Sequence, residues 1–152
     1  MKRNAKIFFF IIFIGFVVFI ISQYFYQLCF VRGISMEPTL HEGQMLLIKK
    51  FNLKLNYNDI IVINKNNKII IKKLVGLPYD TVQIHDYVYI NGEKKDNLYI
   101  QNPGNAEEKI ILKHDEFFVL GDNRQKSIDS RFDEIGIITK KDIIGKAFYK
   151  MF

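Results

Sequence analysis

Ser35 lies in RGISMEPTL, residues 32–40, just ahead of Glu37 and Pro38. A serine beside a proline is ordinarily a turn residue whose hydroxyl bonds a nearby backbone group. It becomes a nucleophile only where a neighbouring base, His or Lys, takes its proton. The histidines are His41, His85 and His114, and the last two are each followed by an aspartate, Asp86 and Asp115. Adjacent residues in a strand or loop tend to point apart, so neither aspartate is expected to orient its own histidine. Lysine is the alternative, at a cost. Holding a side chain of pKa about 10.4 neutral near pH 7 takes roughly 4 to 5 kcal/mol, and apolar burial must supply it. KIIIKKLVG, residues 68–76, offers that setting by placing Lys72 and Lys73 among Ile69, Ile70, Ile71, Leu74 and Val75. Strand alternation sends the two lysines to opposite faces, so at most one enters a site. The competing reading is an edge strand whose lysines discourage aggregation.

A third segment bears on the choice. GDNRQKSIDSR, residues 121–131, sets Ser127, Asp129 and Arg131 at spacings of two. In extended chain the three share a face, where Ser127 can bond a lysine amine and Asp129 can pair with Arg131. Taken alone, such a loop is ordinary polar surface.

The elements that must position these groups read as strands. Residues 45–51, 59–64, 68–76, 80–85, 87–92, 116–121 and 143–152 are short, rich in Ile, Val, Tyr and Phe, and punctuated by Asn, Asp, Gly or Pro. Asn91-Gly92 is a hairpin signal, and residues 102–105 read as a loop. The expectation is an all-β domain, because helical periodicity is missing outside the N-terminus.

The N-terminus differs. Residues 7–31 carry no charge, and 7–21 are apolar apart from Gly15. As a helix the run would be roughly 37 Å long, enough for a hydrocarbon core of about 30 Å. A cleavable signal peptide would need small residues after the apolar run; bulky Tyr24, Phe25 and Tyr26 follow instead, which suit a membrane interface. Lys2, Arg3 and Lys6 precede the span. The positive-inside rule therefore expects a single-pass cell-membrane protein with a cytoplasmic N-terminus and residues 32–152 outside, dividing the chain into 1–31 and 32–152.

Charge excludes little beyond nucleic acid. The 22 basic residues exceed the 16 acidic ones by six, but three lie in the first six positions, so residues 32–152 carry +3 (19 minus 16). No basic footprint for nucleic acid results, while paired lysines spread along the chain fit attraction to anionic lipid. With Cys29 the lone cysteine, neither an intrachain disulfide nor a cysteine metal pair is available.

In combination SMEPTL (35–40), NDIIVIN (58–64), KKLVGLPYD (72–80) and GDNRQKSIDSR (121–131), in this order behind an apolar N-terminal run, resemble the type I signal peptidases. These are membrane-anchored serine proteases with a Ser/Lys dyad. The resemblance implies a coiled, mostly antiparallel β catalytic domain on the membrane, without metal or cofactor. It makes Ser35 the nucleophile and Lys72 the general base, with Ser127 orienting the lysine and Asp129 and Arg131 holding the loop. Gly33 and Met36 flank the nucleophile as supporting residues. Gly33 stands where some members carry a serine that assists the oxyanion hole, which leaves the Ser35 backbone N–H, with water or another amide, for that task. Lys73 stands where the family commonly has Arg. Tyr79 replaces a common Gly, a strain if that turn needs positive φ.

The implied partners are secreted precursors bearing signal peptides, membrane lipid and the secretion translocon. A precursor would add an extended segment to an edge strand near Ser35 or Lys72, with shallow pockets selecting an Ala-x-Ala type pattern. Two other classes compete: an inactive anchored relative that holds precursors, disfavoured by intact Ser35, Lys72 and Ser127, and a self-cleaving Ser/Lys regulator. The regulator would need a DNA-binding domain where this chain has an apolar run.

Overall fold

The computed structural model describes the backbone of residues 2–151 and the side chains of residues 6–148. Helix α1, Lys2–Phe25, is followed directly by strand β1, Tyr26–Phe30. Its stretch Lys6–Phe25 is long and apolar enough to cross a membrane and is not covered by the rest of the protein. At about 1.5 Å per residue these 20 residues cover about 30 Å. The helix therefore ends six residues before the uncharged run does. Apolar composition is shared by a span and by an edge strand, and the Tyr26–Phe30 segment pairs with β2, Met45–Lys49, from Tyr26↔Lys49 to Phe30↔Met45.

The remaining strands are β3 Ile60–Lys65, β4 Lys68–Gly76, β5 Thr81–Ile84, β6 Val88–Ile90, β7 Glu93–Lys94, β8 Ile110–Ile111, β9 Glu116–Leu120, β10 Ile138–Thr139 and β11 Ile143–Met151. A seven-stranded sheet runs β1-β2-β11-β3-β4-β9-β10, and a four-stranded one runs β7-β6-β5-β8. Every ladder among the described residues is antiparallel. The seven expected strands are present. The last is described to Met151, and Phe152 lies outside the described residues. Asn91 and Gly92 both adopt positive φ, 55° and 81°, and turn β6 into β7. The two-residue strands β8 and β10 have no sequence signal of their own, being too short to show a period. Residues 102–105 run into a short 3-10 turn, Gly104–Glu107.

Burial explains why β3 and β9 read as continuous apolar runs rather than alternating ones. Such runs mark strands covered on both faces. Ile61 and Ile63 of β3 enter one core while Val62 enters another. In β9, Phe117 and Val119 join the first of these, and Phe118 and Leu120 join a third that also holds Val82, Ile84, Val88 and Ile90 of the small sheet. β9 is thus clamped between two cores, and the motif segment 121–131 leaves from its end. Each fully buried Ile, Leu or Phe contributes about 1.5 to 3 kcal/mol, which makes this strand a firm base for a site.

Candidate active site

β4 is shared between two neighbours unequally. Residues 68–73 pair with β3, but pairing with β9 begins only at Lys73↔Leu120. Lys72 therefore sits where β4 and β9 diverge, paired to Ile61 of β3 on one side and open on the other. Ser35 lies in the turn after β1. Its carbonyl accepts a hydrogen bond from the Asn123 N–H at 3.0 Å, which ties the turn to the 121–131 loop. The result brings together two residues 37 apart: Lys72 Nζ lies 2.8 Å from Ser35 Oγ.

Lys72 is 4% exposed. Burial lowers its pKa below the ordinary lysine value; the Asp129 charge opposes the shift and Arg131 adds to it. These two opposing charges form an ion pair, with Arg131 Nε 2.8 Å from Asp129 Oδ1 and both side chains buried. A neutral amine is an acceptor, so the Ser35 hydroxyl can then donate to Nζ, the geometry required for proton removal.

The loop is held by the arms of Asp129, Arg131 and Arg124. Asp129 Oδ2 accepts from the Gly121 N–H at 3.0 Å, and Arg131 donates to the carbonyls of Arg124, Ser127 and Asn102. Arg124 in turn donates to the Gly121 carbonyl and pairs with Asp96 at 2.7 Å. Of these residues Asp96 lies outside every quoted motif, and only tertiary contact reveals its part. Burial alternates over 127–129 as the spacing predicts, with Ser127 and Asp129 buried and Ile128 exposed. The Ser127 hydroxyl is buried with no hydrogen-bond partner, so a bond to the Lys72 amine is not among those formed. Ser127 nonetheless borders the dyad. A Cβ placed on Gly121 would overlap Ser127 Oγ and lie 2.5 Å from the Ser35 carbonyl oxygen, so all three residues meet at one point.

Gly33 has φ 78°, a region that favours glycine, and donates its N–H to Glu42 Oε1 at 3.1 Å. A serine in that conformation would be strained, which accounts for the glycine. Met36 is fully buried and accepts the Leu40 N–H at its carbonyl, fixing the turn beneath Ser35. Between the turn and β4 lies a groove of about 530 Å³, walled on one side by residues 28–33 and on the other by Ile69, Ile70, Ile71 and Lys72. On that side residues 68–72 of β4 have no strand partner.

Lys73 turns away from Ser35 and lies 2.5 Å from Asp122 Oδ1, whose side chain is 3% exposed. Tyr79 does take positive φ, 71°, a strain on the order of 1 kcal/mol for a residue with a Cβ. One expectation from local geometry is overturned: His114 and Asp115 pair at 3.2 Å despite being adjacent. Asp115 has φ 59°, and the bend it makes brings neighbouring side chains to one side. The pair is well exposed and His114 packs on Tyr79, apart from the groove lining. His41 lies 3.8 Å from Glu37, also largely exposed.

Comparison with known proteins identifies the family. The model of the family described as signal peptidase, peptidase S26, matches residues 3–152. A signal peptidase I of Bacillus licheniformis is 34% identical over 150 residues, covering 88% of this chain and 80% of the relative. One from Bacillus amyloliquefaciens is 36% identical over 137 residues, covering 80% and 74%. The crystal structure of a signal peptidase I from Enterococcus faecalis V583 matches with a TM-score of 0.51 at 28% identity, over 62% of this chain and 97% of that one. With its antiparallel β sheets and a serine held against a buried lysine, the chain belongs to the signal peptidase S26 family of serine proteases.

Proposed function

We propose that Ser35 and Lys72 form the dyad of a membrane-bound endopeptidase that cuts signal peptides from secreted precursors on the outer face of the membrane. The observation that carries this reading is the 2.8 Å contact between Lys72 Nζ and Ser35 Oγ, made by a lysine whose burial favours its neutral form. Neutral Lys72 takes the hydroxyl proton as Oγ attacks the scissile carbonyl. The Ser35 backbone N–H, which makes no backbone hydrogen bond among the described residues, stabilises the oxyanion. The lysine returns its proton to the leaving amine, then deprotonates the water that hydrolyses the acyl-enzyme. Ser127 borders the dyad without a hydrogen bond to the lysine, and the Asp129–Arg131 pair holds the loop that carries Ser127.

The groove supplies the binding surface. An extended precursor segment hydrogen-bonds to the open edge of β4 while the apolar walls accept small side chains. Lipid contacts α1 and the exposed aromatic residues at its end, and the translocon delivers the precursor.

Purified full-length chain, incubated with a precursor bearing an intact signal peptide, is expected to release one mature product with a single new N-terminus. The rate should climb as pH rises through neutral, since deprotonation of Lys72 creates the base and its pKa lies below that of a free lysine. An acid limb that persists in an active Lys72→Arg variant would rule the lysine out as base. For topology, protease added outside spheroplasts should digest the chain after α1 and leave the N-terminus protected; recovery of a shortened soluble chain would show a cleaved leader instead.

A further inference from the structure

The connection from β2 to β3 passes beside the end of α1. Tyr26, the first residue after the helix, pairs with Lys49, which pairs in turn with Lys146 of β11, so the three lie at one level of the sheet. Rings gather at the same level. Phe25 meets Phe51 edge to face at 5.4 Å, and Tyr26 meets Phe148 at 6.0 Å. Two adjoining clefts open here. One, of about 200 Å³, is lined by Lys49, Leu53, Lys54, Lys146 and Phe148; the other, of about 370 Å³, shares Leu53 and adds Lys50, Phe51 and Lys140.

The charge around these clefts is one-sided. Lys146 holds Asp59 at 2.7 Å and donates to the Lys54 carbonyl at 3.2 Å, which ties the loop to β11. Lys49, Lys50, Lys54 and Lys140 form no ion pair with a carboxylate among the described residues. No acidic side chain lines either cleft. Cations crowded around a cleft repel one another and draw an anion into it. The rings indicate which anion. Phe51 and Phe148 are exposed although they flank the lysines, and aromatic rings at the end of an apolar helix suit the headgroup level of a bilayer. A free inorganic anion would engage the ammonium groups and leave the rings in water, whereas a phospholipid engages both.

We propose that the two clefts bind the phosphate of an anionic phospholipid, in the leaflet that the C-terminal end of α1 reaches. This rests on α1 spanning the membrane. A lysine near the bilayer surface strengthens attraction to anionic lipid about 5-fold, so Lys49 and Lys54 carry most of the preference.

The chain contains no tryptophan, so Phe51→Trp supplies a single fluorophore beside the clefts. Full-length Phe51→Trp chain is placed in phosphatidylcholine vesicles that hold some phosphatidylglycerol, and bromine is carried on the chains of either the phosphatidylglycerol or an equal amount of the phosphatidylcholine. Brominated phosphatidylglycerol should quench more strongly, by a local preference of about 5-fold or more. The preference should narrow at high salt, as screening shortens to about 3 Å at 1 M. Added Lys49→Gln and Lys54→Gln should remove most of it, and Lys54→Gln alone should give an intermediate value. Lys109→Gln with Lys113→Gln lowers the net charge equally at residues that line neither cleft, and should leave the preference intact. An unchanged preference without Lys49 and Lys54, or an equal loss in the Lys109 and Lys113 variant, overturns the inference. Loss of the preference to millimolar inorganic phosphate at constant ionic strength also overturns it and assigns the clefts to free phosphate. Release of the wild-type chain from vesicles by alkaline carbonate would remove the spanning reading and the inference together, whereas firm insertion without a lipid preference overturns the inference alone.

Discussion

Lys72→Ala is expected to lower precursor cleavage by about 10³-fold or more, and Ser35→Ala to abolish it, because the first removes the base and the second the nucleophile. The two lysines of β4 make a discriminating pair. Lys72 is buried among apolar groups with a serine hydroxyl as its hydrogen-bond partner, so truncating it relieves desolvation and should leave the melting temperature unchanged or higher. Lys73 is the ion partner of buried Asp122. Truncating it strands a carboxylate, and since Lys73 is itself 22% exposed, the loss should be nearer 1 to 2 kcal/mol than the 3 to 5 of a fully buried pair. Stability should therefore track Lys73 and turnover should track Lys72. His41→Ala, His85→Ala and His114→Ala should retain activity. Equal effects of the two lysine variants on kcat, or loss of cleavage in a histidine variant, would refute the assignment.

Gly121→Ala is the second large effect. Its new methyl would meet the Ser35 carbonyl oxygen at 2.5 Å and overlap Ser127 Oγ. Neither neighbour is a flexible side-chain tip: the carbonyl is tied to Asn123, and Ser127 sits in a loop whose carbonyls are gripped by Arg131. Relief requires a displacement of about 1 Å at the nucleophile or its support, enough to cost about 10²-fold in rate, with overpacking destabilising the fold by about 1 to 3 kcal/mol. Gly15→Ala is the control, since nothing lies within 4 Å of the Cβ it would add. Measured kcat and circular dichroism separate the outcomes. A folded Gly121→Ala enzyme with native kcat would mean that the three residues do not share the tight junction described here.

The Ser35–Lys72 contact is legible in sequence because its parts are chemically conspicuous: a serine after an apolar run, a lysine inside one, and a polar loop after a third. The choice of Lys72 over Lys73 came from resemblance, and alternation on β4 then accounts for their opposite partners. β1 was not readable, since Tyr26–Phe30 continues the apolar character of α1 and becomes a strand only by pairing with β2. The His114–Asp115 pair escaped for a different reason. Alternation assumes extended backbone, and Asp115 leaves it. Asp96 and Arg124 could not be matched in advance, because 28 residues separate the two ends of their ion pair.

The junction between α1 and β1 also sets a length. Helix becomes strand without a linker, and the Lys50 N–H closes onto the Phe25 carbonyl at 2.8 Å where the two meet. In the orientation proposed above, the nucleophile is thus carried on a stiff post, and its height above the bilayer is fixed by backbone geometry. The five residues of β1 amount to about 16 Å at about 3.3 Å each. The fold acts as a ruler: a precursor can place a peptide bond at Ser35 only when the extended stretch between its own apolar segment and that bond is long enough to cover the same rise.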